Sequence, residues 1–504
     1  LANHARELRC GRVILRKRCA LLANPRRVAA ASLVEAAFVK DESFYELAII
    51  GSGASGVEAA LLGALRGARV LLIENHLLGG GAVHAGTIPM RSLLQSARTA
   101  RELQRQGDGE DAARLSDWVT SQRRTVARTT ERLAHELADA KVTILRGAAR
   151  LLGEARIHVT ENLPTGPVER TVRAGQIILA TGAKPDESEQ VWPESAVGSS
   201  RRFMSLAEAP DRLVIIGGGH IGCEFACVYH TLGAQVTIIE KGDRLLPEMD
   251  REAGEFLREE FAARGILVRF GETARAIWGV TSGEFGVAGV LPDGEEFFAD
   301  KVLLATGRVP NIHGLGLDEA GVRFHAQRGI EVDEFLQTTA PGIYAIGDVN
   351  GLCTLADSAR AQARVAVENA LGECAPFLRD ETPRCVHTDP PVAAIGLLEQ
   401  EARAADRPVT AASAKFRSAS GTGAVLKLVA DAASFRLLGA MIVGERAPEW
   451  IAQLSAEVRA HPNIADFAAR TIPNENFATA IRAGVREMIG RQPQRGLTQP
   501  VPAG

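Results

Sequence analysis

The chain has 504 residues, with 58 Lys and Arg against 61 Asp and Glu, a formal charge of −3 and 46% hydrophobic residues. That length exceeds one hydrophobic core and predicts two to four domains, and the balanced charge gives no basic surface for nucleic acid. No apolar run reaches the roughly 18 residues of a membrane span, and the seven cysteines show neither metal-ligand spacing nor a dense disulfide pattern, so a cytoplasmic protein without a structural metal is expected.

The first 40 residues carry nine Lys and Arg against only Glu7 and Glu35. Such a leader reads as an organelle transit peptide or as a poorly ordered extension, and residues 1–43 are expected to be the latter. An apolar strand follows at Leu47–Ile50, and then Gly51-Ser-Gly53-Ala-Ser-Gly56, with Glu74 placed 23 residues after the first glycine. In this pattern the first glycine makes the turn out of the strand and the second lets the backbone approach a pyrophosphate. The third lets the helix pack on the sheet, the helix start presents free N–H groups, and the acid binds a ribose diol. A long helical stretch is predicted over 91–137 with a break at 107–109, then strands at 142–145 and 177–179, the latter closing on Ala180-Thr181-Gly182.

The pattern then repeats. After the strand Leu213–Ile216 comes Gly217-Gly-Gly219-His-Ile-Gly222, with Glu240 again 23 residues after the first glycine. A strand at 302–304 ends in Ala305-Thr306-Gly307-Arg308, echoing the first unit. Two copies in matching context make two βαβ nucleotide-binding units, where one such string would be weak evidence. Cys223 and Cys227, four apart on the second glycine-loop helix, read as small buried packing residues. Tyr344-Ala-Ile-Gly347-Asp348 follows, then a helix over 355–371 whose start at Leu355-Ala356 would stabilise negative charge. From about 383 there is no glycine loop, and strands are predicted at 392–396, 424–430 and 437–443.

In the order and spacing of these motifs the chain from about 44 to 490 resembles the flavin-dependent pyridine nucleotide–disulfide oxidoreductases, such as lipoamide dehydrogenase and glutathione reductase. The resemblance implies an α/β fold with two Rossmann-like three-layer nucleotide-binding domains and an α+β C-terminal interface domain. The implied boundaries are an FAD-binding domain over 44–190 and 313–382, an NAD(P)-binding domain over 191–312, a dimerisation domain over 383–490 and a tail over 491–504. It implies FAD and NAD(H) as cofactors, NADP(H) as a further candidate, nicotinamide nucleotides as small-molecule partners, and a homodimer formed through the C-terminal domain. FAD would be held by Gly51, Gly53, Gly56, Glu74, Gly80, Gly86, Thr181, Gly182, Gly347, Asp348, Leu355 and Ala356. The nicotinamide nucleotide would take Gly217, Gly219, Gly222 and Glu240, with Gly307 and Arg308 closing the second unit.

The chain departs from that family at its reactive centre. Thiol members carry Cys-x4-Cys where this chain has Ala82 and Thr87, inside Gly79-Gly-Gly-Ala-Val-His84-Ala-Gly86-Thr87-Ile-Pro89. Neither residue forms a thiolate or a disulfide, so dithiol exchange by that route is excluded. The C-terminal His and Glu of the family fall on Asn474 and Thr479, or on Glu475 with a shift of one, and His461 reads as a surface residue between helices. The string through His84 and Thr87 looks like that of the soluble pyridine nucleotide transhydrogenases. The resemblance therefore implies hydride passing from reduced nicotinamide through flavin to a second acceptor, with His84, Thr87, Arg91 and Glu224 at the centre. An Arg91–Glu224 pair is expected beside the flavin. Glu240 favours NAD over NADP, and Lys241 and Arg244 read as solvated loop charges. The alternatives are an NADH-specific diaphorase serving a quinone, O2 or small carrier, and a degenerate flavoprotein with a structural or sensing role.

Overall fold

The computed structural model describes residues 42–106, 114–186, 196–274, 276–282, 285–291, 297–418, 421–470, 472 and 474–490. The basic extension up to residue 41, the break expected at 107–109, the link running to Pro193 and the tail from 491 lie outside the described residues.

The first unit opens with β1 (Phe44–Ile50), α1 (Ala54–Leu65) and β2 (Val70–Glu74). The short α2 (Gly80–His84) leads into α3 (Thr87–Gln106) and α4 (Leu115–Asp139), the two parts of the helical stretch expected over 91–137 with a break at 107–109. Then come β3 (Thr143–Arg146), β4 (Ala148–Gly153), β5 (Arg156–Leu163), β6 (Gly166–Leu179) and β7 (Ala183–Pro185). The core strands are continuous apolar runs, as parallel strands covered on both faces should be; β1 pairs in parallel with β2 and β6, and β2 with β3. The 14-residue β6 serves two sheets' worth of partners. Its first part pairs antiparallel with β5, which pairs with β4, and its end lies parallel to β1. Only its last three residues were predicted as strand, because the alternating first part has few bulky apolar residues.

The second unit runs through β8 (Val197–Ser199), α5 (Ser200–Phe203), β9 (Arg212–Ile216), α6 (His220–Thr231), β10 (Gln235–Glu240), α7 (Arg251–Arg264) and β11 (Leu267–Phe270). A meander of β12 (Ala276–Ser282), β13 (Phe285–Leu291) and β14 (Phe297–Ala299) precedes β15 (Lys301–Leu304) and β16 (Arg308–Pro310). Its parallel sheet has the order β11-β10-β9-β15-β8, the same plan as the first unit. Entry and exit of this unit lie side by side, because β16 pairs antiparallel with β7.

The chain then returns to the first sheet. After the small hairpin of β17 (Phe324–His325) and β18 (Gly329–Ile330), β19 (Ile343–Ala345) joins the edge of β6, and α8 (Ala356–Ala370) packs on α1. A third sheet has the order β20-β21-β24-β23-β22 and is wholly antiparallel. Its strands are β20 (Arg384–Val386), β21 (Val392–Gly396), β22 (Val409–Arg417), β23 (Gly423–Asp431) and β24 (Leu437–Val443), with α9 (Glu399–Ala404) between β21 and β22. Helices α10 (Ala447–Ala460), α11 (Ile464–Ala469) and α12 (Glu475–Gly490) complete it, sealed by Trp450 stacked on Phe477 at 4.9 Å.

One buried polar contact joins the third sheet to the second unit. Lys427 of β23, 5% exposed, meets Asp250 at 3.1 Å, Glu252 at 3.1 Å and Glu399 at 2.6 Å. Asp250 also caps α7 by accepting from the Glu252 amide. Burial alone would lower the Lys427 pKa, but the carboxylates outweigh it and raise it above its ordinary value.

Candidate functional site

Both glycine loops have the same geometry, and each position has a cause. Gly51 (φ +101°) and Gly217 (φ +109°) sit in the left-handed region, where a Cβ would also strike the carbonyl oxygens of Ala180 and Ala305 respectively. A Cβ on Gly56 would strike the Gly51 carbonyl, and one on Gly222 the Gly217 carbonyl. The middle glycines differ in kind: Gly53 and Gly219 have extended backbones at the starts of α1 and α6, and nothing lies within 4 Å of where a Cβ would stand. That open space beside a helix start fits a pyrophosphate, so the chain suits a dinucleotide at each loop. The first acid is 8% exposed; Glu74 accepts from the Ser52 amide at 2.8 Å, the Ser52 hydroxyl at 2.5 Å and the His76 amide at 2.7 Å. Glu240, 7% exposed, accepts from the Gly218 and Gly242 amides, each at 2.6 Å.

Around the first loop the structure gathers several of the predicted residues. Gly80 packs on Gly53, with a Cβ there coming within 3.0 Å of the Gly53 Cα, and Gly347 packs on Ser55. Asp348 sits in a single turn of 3-10 helix (Gly347–Asn350), and Arg308 reaches it at 3.5 Å while also donating to the Ala183 carbonyl. Burial pushes the Asp348 carboxyl up, against Arg308 and His220. Thr181 donates to the Asn311 carbonyl at 2.7 Å, and Gly182 (φ +70°) and Gly307 (φ +136°) face open space. Gly86 lies against the Gly81 carbonyl. Leu355 caps α8, which starts at Ala356, and lines a cavity of about 320 Å³ shared with Gly219 and His220. Cys353, Arg379 and Arg384 line it too. These were not predicted, since nothing in their spacing brings them to the second loop.

The segment that carries Ala82 and Thr87 is helical. Ala82 lies on α2, Thr87 opens α3, and both are half-buried. His84 points its ring nitrogen at the Leu78 carbonyl, 2.8 Å away, which ties down the α2 loop. The expected direct Arg91–Glu224 pair is not formed. Arg91 donates through Nε to the His387 ring at 2.9 Å and lies 3.9 Å from Asp357, whereas Glu224 accepts from the His387 amide at 3.0 Å. Residue 387 therefore stands between them, and the rigid planar fork of Arg satisfies itself sideways. Burial raises the Glu224 carboxyl despite the nearby His220, Arg91 and Arg98.

Other expectations resolve locally. Arg244 is half-buried rather than solvated: it donates to the Pro247 carbonyl at 2.8 Å, and its Nε is buried without a partner. The Leu245 and Leu246 side chains on its flank are core residues, which holds its stem against the fold. Lys241 is exposed, as expected. Cys223 and Cys227 are buried packing residues. His461 is exposed at the left-handed cap between α10 and α11. Asn474 accepts from the Phe477 amide at 2.9 Å at the start of α12, and Thr479 is exposed. Among the described residues no cluster of three His, Cys, Asp or Glu fits a metal, and no helix is long and apolar enough to cross a membrane.

Two glycine-loop units of one geometry, the second opening on a cavity that residues 351–355 also line, define an FAD-dependent pyridine-nucleotide oxidoreductase. The chain belongs to the pyridine nucleotide-disulphide oxidoreductase family: residues 45–368 match its main model and residues 382–482 its dimerisation domain. It is 34% identical over 459 residues to the dihydrolipoyl dehydrogenase of Thermus scotoductus, covering 87% of this chain and 96% of that one. It is 32% identical to a glutathione reductase of Burkholderia cepacia, covering 84% and 95%. The crystal structure of LpdA from Mycobacterium tuberculosis superposes with a TM-score of 0.78 at 26% identity, over 88% of this chain and 99% of that chain. The flavoprotein disulfide reductase RclA of Escherichia coli, at 24% identity, 0.77 and the same coverage, shares the fold.

Proposed function

We propose that this protein is an NAD(P)H oxidoreductase of the transhydrogenase type, working through FAD without disulfide chemistry. The observation that carries the reading is the combination in one chain of two intact glycine loops with Ala82 and Thr87 in place of a cysteine pair. A bound flavin supplies a reversible two-electron carrier. The residues of the first loop, with Glu74 and Asp348, would hold it, and the start of α8 would favour negative charge at its edge. The second loop and Glu240 would hold the nicotinamide nucleotide, its reactive end lying in the cavity by His220 and Leu355. Arg91 and Glu224 would orient the reacting groups, with His84 and Thr87 closing the other side of the segment. With one nicotinamide site, donor and acceptor nucleotides must alternate there, so parallel initial-velocity lines are expected. The dimerisation-domain match supports a homodimer through the third sheet and its helices, and residues 44–190 with 313–382, 191–312 and 383–490 are proposed as the domains.

A second reading, an NADH-specific diaphorase, is favoured by Glu240, which repels a 2′-phosphate. The deciding experiment is anaerobic. NADH and NADPH are added separately to the yellow protein, bleaching is followed, and an oxidised nicotinamide analogue is then added. Bleaching by both donors with rapid return on the analogue supports the transhydrogenase. Bleaching by NADH alone without return selects the diaphorase, and bleaching by neither removes both.

A further inference from the structure

We infer that His387 is a positioning residue that sets Arg91 and Glu224 relative to each other. The inference deepens the reading above, since it rests on Arg91 and Glu224 serving the electron-transfer site. Residue 387 follows the end of β20, on the third sheet, yet its amide, its carbonyl and its ring Nε2 are all used by the two nucleotide units. Its amide donates to Glu224 of α6 at 3.0 Å. Its carbonyl accepts from Arg98 of α3 at 3.2 Å, and Arg98 also holds the next carbonyl, of Thr388, at 3.0 Å. Its ring Nε2 accepts from Arg91 Nε at 2.9 Å.

The backbone is thus fixed on both sides, which fixes where the ring points. Arg has donors and no acceptor, so the bond requires an unprotonated Nε2 and places the ring proton on Nδ1. Burial first, and then the two guanidiniums, push the His387 pKa down to about 4, which keeps that acceptor available at neutral pH. The other end of Arg91 reaches toward Asp357 in the first turn of α8. Glu224, residue 387, Arg91 and Asp357 therefore form one line from the second glycine-loop helix to the start of α8. Without the ring, Arg91 Nε loses its acceptor, and a side chain 43% exposed is free to turn its guanidinium toward solvent or collapse on Glu224. The Glu224 bond is to the backbone, so changing the side chain at 387 separates the Arg91 arm from the Glu224 arm.

The test uses full-length, flavin-loaded protein and the rate of anaerobic bleaching at saturating NADH. His387→Ala should slow this step by about tenfold or more, the scale of a small misplacement, with little change in the NADH concentration giving half the rate. His387→Gln keeps an acceptor and should recover most of the rate. In the double variant with Arg91→Ala, the loss should be no greater than that of Arg91→Ala alone, because one residue acts through the other. A His387→Ala rate equal to wild type, losses that multiply, or no recovery with Gln at equal thermal stability would each overturn the inference. Should the Ala variant not fold, the Gln variant paired with His387→Phe carries the same comparison. Re-oxidation by a nicotinamide analogue is measured on wild type alone, so failure of the transhydrogenase reading leaves this result readable.

Discussion

The two glycine loops share the same carbonyl collisions at their first and third glycines, and differ in how tightly each acid is held. In the first, Ser52 uses both its amide and its hydroxyl on Glu74, and the same hydroxyl accepts from the Gly79 amide at 3.1 Å, tying the acid to the start of α2. In the second the matching residue is Gly218, which offers only an amide, and Glu240 relies on it and on Gly242. A side chain at 218 would press on Leu245 and on Glu240 itself. A locked acid suits a resident cofactor and a lightly held one a nucleotide that comes and goes, which is the assignment proposed for the two loops.

The strongest way to break the comparison is at the third glycine. Gly56→Ala should yield colourless protein, whereas Gly222→Ala should stay yellow with the NADH requirement raised by roughly 10- to 100-fold, the cost of a backbone collision of about 1–3 kcal/mol. Absorbance and bleaching titrations separate the two. Next is the Lys427 strut on the second unit. Lys427→Met leaves Asp250, Glu252 and Glu399 facing one another, and should cost about 3 kcal/mol of stability, read as a lower thermal midpoint.

The second loop's helix is also linked to a titrating group. The His387 pKa, about 4, lies below its ordinary value of 6.5. Its contribution to stability is therefore complete above pH 6.5 and is lost as pH falls from there through about 4, where the unfolded chain binds the extra proton. His387→Gln should flatten the decline of the thermal midpoint across that window, by up to about 3 kcal/mol. Smaller again, Glu240→Ala should weaken NADH by about 10-fold or more, the worth of a charged hydrogen bond, while NADPH gains on it. Glu74→Ala should weaken flavin retention and spare the NADH response. The smallest effect is expected for Ser52→Gly, which makes the first loop like the second and should raise the flavin dissociation constant several-fold, for about 1 kcal/mol.

What the sequence made legible was everything set by short-range spacing. The fingerprints, their acids, the strands that precede them, and α8 beginning at Ala356 all follow from turn, helix and strand periods. The strands at 392–396, 424–430 and 437–443 came from apolar runs and fall on β21, β23 and β24. What remained hidden depends on contacts between distant segments. Arg91 and His387 are 296 positions apart, and Lys427 and Asp250 are 177 apart. No local period records either pairing. The meander of β4, β5 and β6 was missed because its strands are polar on one face. Arg244 was read as solvent-facing because a charged loop carries no sign of which stems are packed.

The pairing of β7 with β16 has a consequence for how such a chain can change over time. The second unit leaves and re-enters its host through two neighbouring strands, held by the Asn311 amide on the Gly182 carbonyl at 2.9 Å and by the Asn311 side chain on the Thr181 carbonyl at 3.0 Å. Paired strands stand only about 4.8 Å apart, so the chain leaves and re-enters its host at two adjacent ends, while Lys427 on Asp250 braces the unit from the third sheet. Any other βαβ module with ends at that separation meets the same splice points. The two ends of the unit thus form a single splice point, the geometry that an inserted module requires.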